Sequence, residues 1–358
     1  MLNLQAFIRE NENWRELISE KPYCIKVTEK GNLVCFKYSQ IDSDFHNPIV
    51  GECRGIILEK DSWNVVAYAF NKFGNYGESY ADEIDWSSAR VGEKVDGSLI
   101  KMYFYDGEWR VGTNGMIDAV DAELSSPPYH SFMELFNVAA DICGLDYDKL
   151  DPHFTYIFEL RSPYNRVVVP YDDIRIIHLG TRDNRTCEEV EVDIGIEKPK
   201  QYMLSSLDDC IAMAATFDST KEGFVVVDKN YNRIKIKSED YVKAHRMISN
   251  NKVSEEKILS LICSGEEGEF LSYFPTYTTI FQDIKIKRDK LKYLFYEIKK
   301  EVFSLKEKGT KRKDFAQLVK NNDFSFLYFL MYDNSQLNFL DWENKISYKK
   351  MVKYYELI

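Results

Sequence analysis

No run of about 18 apolar residues occurs in this 358-residue chain, so no membrane-spanning helix is expected. The opening stretch MLNLQAFIRENENW also lacks the apolar core of a secretory signal, and it carries charge early. No C-x-x-C pair is present. The seven cysteines (positions 24, 35, 53, 143, 187, 210 and 263) are scattered and odd in number. That usage fits reduced thiols in a cytoplasm and argues against a disulfide scaffold or a structural zinc site. No internal repeat or low-complexity segment is evident, and no G-x-x-x-x-G-K-[ST] loop marks a kinase-type phosphate site. Positive charge is short overall: 47 Lys and Arg face 58 Asp and Glu, for a net charge of −11.

The deficit is uneven. Between Ile284 and Lys320 there are 13 Lys or Arg against 5 Asp or Glu, a local excess of +8 that leaves −19 on the remainder. A stretch of this kind holds a polyanion through its phosphates, or is the solvated face of an ordinary helix; composition weighs the two equally. With 44% hydrophobic and 29% charged residues, the chain is globular and long enough for two domains.

The first 245 residues read mainly as short strands. Tyr23 to Thr28 and Leu33 to Tyr38 flank a hairpin corner at Gly31. Ile56 to Leu58, Val65 to Phe70, Leu99 to Tyr105 and Trp109 to Thr113 continue the pattern. The apolar spacing of Phe132, Leu135, Phe136 and Ala139 predicts a helix over 131–142, with Ser131 as its N-cap. Strands resume at Phe154 to Leu160, Val167 to Pro170, Ile174 to Leu179, Phe224 to Val227 and Ile234 to Ile236. From Ser238 the periodicity turns helical and stays so, and Ser249-Asn250-Asn251 is the expected linker.

The chemistry-bearing residues begin with Lys94-Val95-Asp96-Gly97-Ser98-Leu99-Ile100. A lysine that attacks a nucleotide α-phosphate needs a tight turn holding its amine near the phosphate, with a carboxylate close by; the bland alternative is a surface hairpin corner. Lys221 to Asp228 and Asn232 to Ser238 read as one hairpin. A turn centred on Asn230-Tyr231 sets Val226 opposite Lys235 and Phe224 opposite Lys237, with Glu222 on the lysine face. Two ammonium groups and a carboxylate on one sheet face suit a phosphate chain with magnesium, or a solvent-facing ion pair. Glu159 falls on the strand face away from Phe154, Tyr156 and Phe158, available to ribose hydroxyls or to Arg161. Arg54, before a strand, and Lys72, among aromatics, are each weak signals alone.

In order along the chain, Arg54-Gly55, Lys72-Phe73, Lys94-x-Asp96-Gly97-Ser98, Glu159, Glu222-Gly223 and Lys235-x-Lys237 resemble the collinear motifs of the covalent nucleotidyltransferase superfamily. The strings E-C-R-G-I, F-E-x-x-x-P-x-N-R-V-V and K-I-K-S-x-x-Y-V are similar to those of the phage-type RNA ligase 1 family. The likeness covers residues 50 to 245 well and the helical remainder only by class. It implies an α+β fold: an adenylation domain of antiparallel sheets with flanking helices over 1–245, then a smaller all-α RNA-specificity domain over 246–358. By this resemblance the chain is an ATP-dependent RNA ligase, sealing 5′-phosphate to 3′-hydroxyl ends in a monomer. Lys94 becomes the nucleophile that carries AMP, which requires a neutral amine. Glu222 binds Mg2+ (or Mn2+), and Lys235 and Lys237 clamp the α-phosphate. Arg54 and Lys72 hold phosphates and Glu159 the ribose. Glu93 accepts from the adenine amino group, and Asp96 and Gly97 line the nucleotide site. The adenine-stacking side chain falls within Ile176 to Leu179. A nicked tRNA is the implied substrate, with end-healing left to a separate kinase/phosphatase.

One position departs from the family. A cation in a (K/R)-G context is usual after the strand that follows the nucleophile; here Gly112-Thr113-Asn114-Gly115 puts Asn114 there, with Arg110 as a candidate substitute. Two rival readings remain. A DNA ligase or capping enzyme would be expected to append a β-barrel where this chain turns helical, and DNA ligases tend to carry arginine where Leu99 stands. A non-catalytic RNA-end-binding protein on a decayed ligase fold is opposed by intact Lys94, Glu222, Lys235 and Lys237.

Overall fold

The computed structural model describes residues 1–124, 128–242, 254–273 and 277–357. Two compact units divide the chain at Ile248 and Ser249. The expected linker Ser249-Asn250-Asn251 and the expected 245/246 boundary lie outside the described residues.

Among its described residues the first unit has fourteen strands: β1 Ile25–Lys30, β2 Leu33–Tyr38, β3 Arg54–Glu59, β4 Val65–Ala67, β5 Gly74–Asn75, β6 Arg90–Glu93, β7 Ser98–Tyr105, β8 Glu108–Thr113, β9 Phe154–Arg161, β10 Arg175–Asp183, β11 Glu189–Val190, β12 Gln201–Tyr202, β13 Gly223–Val227 and β14 Arg233–Lys237. They form a four-stranded sheet β1-β2-β3-β4 and two five-stranded sheets, β11-β10-β9-β7-β8 and β12-β6-β13-β14-β5. Pairing is antiparallel except between β14 and β5, which run parallel.

Alternation explains how the layers pack. Ile100, Met102, Tyr156, Phe158 and Leu160 cover one face of the central sheet with Leu135, Phe136 and Ala139 of helix Phe132–Cys143. Ser131 caps that helix by accepting from the Glu134 N–H, and Gly144, left-handed at φ 71°, ends it. Leu33, Cys35, Ile57, Tyr103 and Ile117 fill the layer between the four-stranded and central sheets. On the third sheet, Val91, Phe224, Val226, Ile234 and Ile236 meet Cys210 and Ala214 of helix Leu207–Ala214.

Three expectations are corrected. Val167 to Pro170 is no strand: Val168 and Val169 are buried loop residues whose N–H groups are donated to Asp96. Val65 to Phe70 is extended only to Ala67 in β4. The β13–β14 register is shifted by one, so that Val225 faces Lys235 and Gly223 faces Lys237. The cause is Asp228, whose carboxylate accepts from the Asn230 and Asn232 backbone N–H groups and closes a wider turn than the two-residue one expected.

The second unit is helical among its described residues. Its longest helix, Thr278–Glu307, buries Phe281, Ile284, Leu291, Phe295, Ile298 and Val302 along one stripe. The basic run from Ile284 to Lys320 is not purely a free surface. Arg288 is buried and chelates Glu343 through two 2.8 Å bonds, and Lys285 and Lys287 pair with Glu267 and Glu255. Lys308, Lys311, Lys313 and Lys320 remain exposed.

Candidate active site

A cavity of about 560 Å³ lies between the central and third sheets, within the size range of small-molecule and cofactor sites. Leu99, Glu159, Leu179, Val225, Lys235 and Lys237 reach it from strands, and Lys94 from the turn after β6. Period-two alternation puts Val225 and Lys235 on the cavity face while Phe224 and Ile236 turn to the helix behind.

Glu222 organises the cationic end. Its carboxylate accepts from the Lys94 ammonium at 2.7 Å and pairs with Lys237 at 3.2 Å. In the observed register, strict alternation would send Glu222 to the Phe224 face. Gly223, at φ 137°, breaks that alternation while the chain runs on beside β14, where the Glu222 carbonyl accepts from the Ser238 N–H, and the Glu222 side chain stands with the lysines. Its missing Cβ would lie 2.1 Å from the Ile236 carbonyl oxygen, so the motif glycine is dictated by close approach as well as by φ. Burial pushes the Glu222 carboxyl upward, but Lys94 and then Lys237 more than offset this and hold it below its ordinary value.

Lys235 sits over the Phe73 ring at 4.7 Å, with no carboxylate paired to it among the described residues. Burial, then Lys72, Arg54, Lys94 and Lys237, drive its amine well below the usual lysine range. Glu159 is pushed up to about 8, chiefly by burial, with Lys94 opposing and Glu222 reinforcing the shift. Arg161, a possible partner for Glu159 on sequence, instead pairs with Asp173 at 3.1 Å. Glu93 lines the cavity, its backbone fixed to Lys200. Gly97 is required by crowding: a Cβ there would lie 2.4 Å from the Leu160 carbonyl oxygen.

Two expected residues are placed differently. Asp96 does not line the cavity. Its buried carboxylate accepts from the Val168 and Val169 N–H groups at 2.9 and 2.7 Å and from the Tyr241 hydroxyl at 2.8 Å, tying the nucleophile turn to two distant segments. Lys72 lines an adjoining cavity of about 610 Å³, its ammonium among Tyr38, Phe45 and Tyr80. Phe73 and Arg233 line both cavities, and Arg54 lies 5.1 Å over Phe73. Of the four residues expected to hold the base-stacking position, Ile176 is in the core behind the sheet, whereas His178 and Leu179 line the cavity. Burial lowers the His178 imidazole to about 4, so it is neutral. Arg110 stacks on Tyr105 and does not line the cavity.

Sequence reasoning missed Arg233 and Glu189. Glu189 bridges Arg233 and Arg182 with a largely covered side chain, and Glu189 and Arg233 wall one end of the cavity. Nothing in the local strings marks Glu189: Arg182 is its cross-strand neighbour in the β10–β11 hairpin, but Arg233 is distant in sequence. Tyr241 falls within a shared string but carried no assigned role.

The chain belongs to the RNA ligase family: the model of its phage T4 RNA ligase 1 type matches residues 52–241. A protein of Autographa californica nuclear polyhedrosis virus, named as a bifunctional polynucleotide kinase/RNA ligase, is 32% identical over 70% of this chain and 39% of its own length. The chain thus spans well under half of that relative. An RNA ligase of Rhodothermus phage RM378 is 25% identical, covering 92% of this chain and 91% of that protein. A further relative, from Thermovibrio ammonificans and also named as an RNA ligase, is 24% identical over 84% of this chain and 85% of its own.

Proposed function

We propose that this chain is an ATP-dependent RNA ligase that joins a 5′-phosphate end to a 3′-hydroxyl end through a lysyl-AMP and an RNA-adenylate intermediate. The observation that carries the reading is the Glu222 carboxylate bridging Lys94 and Lys237, beside Lys235, which has no anionic partner among the described residues. A triphosphate entering this end of the cavity meets a tethered amine and two fixed cations. The Lys94 amine, having lost its proton, attacks the α-phosphorus; the N–P bond forms, the bond to the β-phosphate oxygen breaks, and pyrophosphate leaves. Lys235 and Lys237 stabilise the charge developing on the α-phosphate oxygens. The depressed basicity of Lys235 marks the cost of holding that charge unpaired, a cost that a phosphate relieves.

Adenine would occupy the apolar part of the cavity against Leu99, Leu179 and Val225, with Glu93 at its edge and Glu159 near the ribose. Among the described residues no three His, Cys, Asp or Glu side chains converge on a metal position. Glu222 fits as a single carboxylate ligand to Mg2+ held mainly by nucleotide phosphates and water, the arrangement this ion favours. Bound there, the ion would neutralise the phosphates. No described helix is long and apolar enough to cross a membrane, and cytoplasmic location follows only from the cysteine usage. We assign the chain a monomeric state, a nicked tRNA as substrate class, and healed ends supplied by a separate kinase/phosphatase.

The test is incubation with α-labelled ATP and Mg2+ followed by a denaturing gel. Label should stay on the wild-type protein and vanish from Lys94→Ala, which should still seal some pre-adenylated RNA. Label retained by Lys94→Ala, or equal labelling from GTP, overturns the reading.

A further inference from the structure

Helix Thr278–Glu307 carries a second apolar stripe, opposite the one it buries. Ile286, Tyr293, Tyr296 and Phe303 stand 54, 69, 39 and 59% exposed. Their spacing of seven, three and seven residues is a heptad seam, with Ile286 and Tyr293 at a positions and Tyr296 and Phe303 at d positions. Its two charged members are Asp289, at d, and Lys300, at a. Single exposed apolar residues are ordinary, but four aligned on one helix mark a contact surface. Along one flank, Lys285 pairs with Glu267, while the Lys299 and Lys306 ammonium groups donate to the Leu337 and Tyr332 carbonyl oxygens. These lysines are drawn back to their own unit.

We propose that this face pairs with the same face of a second copy of the chain, the two helices running antiparallel about a centre between Leu294 and Phe295. Counted outward from that centre, Ile286 meets Phe303 of the second copy, Tyr293 meets its Tyr296, and Asp289 meets its Lys300. The two-fold axis repeats each contact. Apolar residues fall on apolar ones, and the two charged positions fall on each other with opposite signs. On the open flank, Lys290 faces Glu297 of the second copy. Lys300 now holds its own Glu297 at 2.7 Å, an exposed pair that is exchanged at little cost. The alternatives lose this match. A slide of one heptad sets Asp289 against Tyr293 or against Glu307, and a parallel pair sets Asp289 on Asp289 and Lys300 on Lys300. A phosphate backbone is not the fitting occupant, because along the seam and its open flank Lys290 and Lys300 are outnumbered by Asp283, Asp289 and Glu297. The seam is short, so pairing follows concentration. The monomeric state assigned to the ligase is the catalytic species, its cavity lined within one chain. The inference does not rest on the ligase reading.

Sedimentation of the full chain from about 1 to about 100 µM tests the pairing, since association in that range is what a short seam supports. The mass should rise from that of one chain toward that of two. Phe303→Glu should abolish the rise and leave the melting temperature unchanged, because the ring it removes is exposed. Asp289→Lys and Lys300→Asp, each alone, place like charges at both symmetric contacts and should weaken association about tenfold. Mixed with each other, the two variants should associate as the wild type does, because each contact across the mixed pair regains opposite charges. The chain carrying both changes should do the same. Misfolding of either variant would not be rescued by mixing. A mass that stays at one chain throughout, swaps without effect, or no recovery on mixing overturns the pairing. Loss of oligoribonucleotide binding by Phe303→Glu in a chain that never associates assigns the face to RNA and overturns it as well. Labelling by α-labelled ATP should be equal in all these variants; its absence from the wild type defeats the ligase reading and leaves the pairing to the sedimentation result.

Discussion

Lys94, Lys235 and Lys237 lie in one cavity, but their surroundings differ enough to separate their roles by experiment. Lys94 and Lys237 share Glu222, whereas Lys235 has an aromatic face and no carboxylate among the described residues. Removing a charge-stabilising interaction in a transition state typically costs about 3 kcal/mol, so Lys235→Ala and Lys237→Ala should each slow lysyl-AMP formation about 100-fold at saturating ATP. Arginine at either position should not fully rescue, because its planar fork does not replace a compact ammonium. Single-turnover rates of label transfer check both statements; wild-type rates in either alanine variant refute the one-face arrangement.

Glu159 supports a prediction about pH. Its carboxyl ionises near 4.5 when exposed but at about 8 in the fold, chiefly through burial. Below pH 4.5 both states hold the proton and no penalty exists. Between 4.5 and 8 the unfolded chain binds fewer protons than the folded one, so stability falls as pH rises. Glu159→Gln should therefore raise the melting temperature of the ligand-free protein at about pH 8 and change it little at about pH 4.5. A pH-independent difference would contradict that shift. Asp96 tests differently: with three buried donors on its carboxylate, Asp96→Ala should cost about 3 kcal/mol in denaturant unfolding. Unaltered stability would mean those donors find other partners.

At the scale of elements, the β13–β14 hairpin shows how a single glycine converts a register into a site. Once Asp228 widens the turn, the break in alternation at Gly223 keeps Glu222 beside the lysines, and no other residue tolerates both its φ and the 2.1 Å approach of the Ile236 carbonyl. The turn at Asn114 is a second case. Its flanking glycines suggest room for a longer side chain, yet Lys37 and Lys101 already occupy the neighbouring space. Asn114→Lys alone should thus lower stability by like-charge repulsion, measured as a reduced denaturant midpoint, and become tolerable once Lys37 is neutral. The helical basic run divides likewise, since Arg288, Lys285 and Lys287 are committed to ion pairs. We expect joint neutralisation of the exposed Lys308, Lys311, Lys313 and Lys320 to flatten the salt dependence of RNA binding, by up to about 0.9 for each phosphate left without its lysine. An unchanged slope would make them a solvated helix face.

At the scale of the whole molecule, charge divides between the two units. The first has its own hydrophobic cores and holds the cavity lined by Lys94, Lys235 and Lys237; the second is helical among its described residues and holds the basic excess. A fragment ending at Ile248 should therefore still form lysyl-AMP while sealing a folded RNA poorly. Full sealing by that fragment would remove the second unit from substrate choice. Local sequence was enough for β2, for the Ser131-capped helix and for the collinear lysines and glutamates, because period, caps and motif spacing are short-range properties. It was also enough to set Glu159 opposite the aromatics of β9, since alternation needs only one strand. Tertiary structure alone decided that Asp96 anchors a loop, that Lys72 lies in the adjoining cavity, and that Arg233 joins Glu189. It alone put Lys37 beside Asn114. Those pairings join residues far apart in sequence, and their energies depend on burial and convergent charge, which exist only after the sheets have packed.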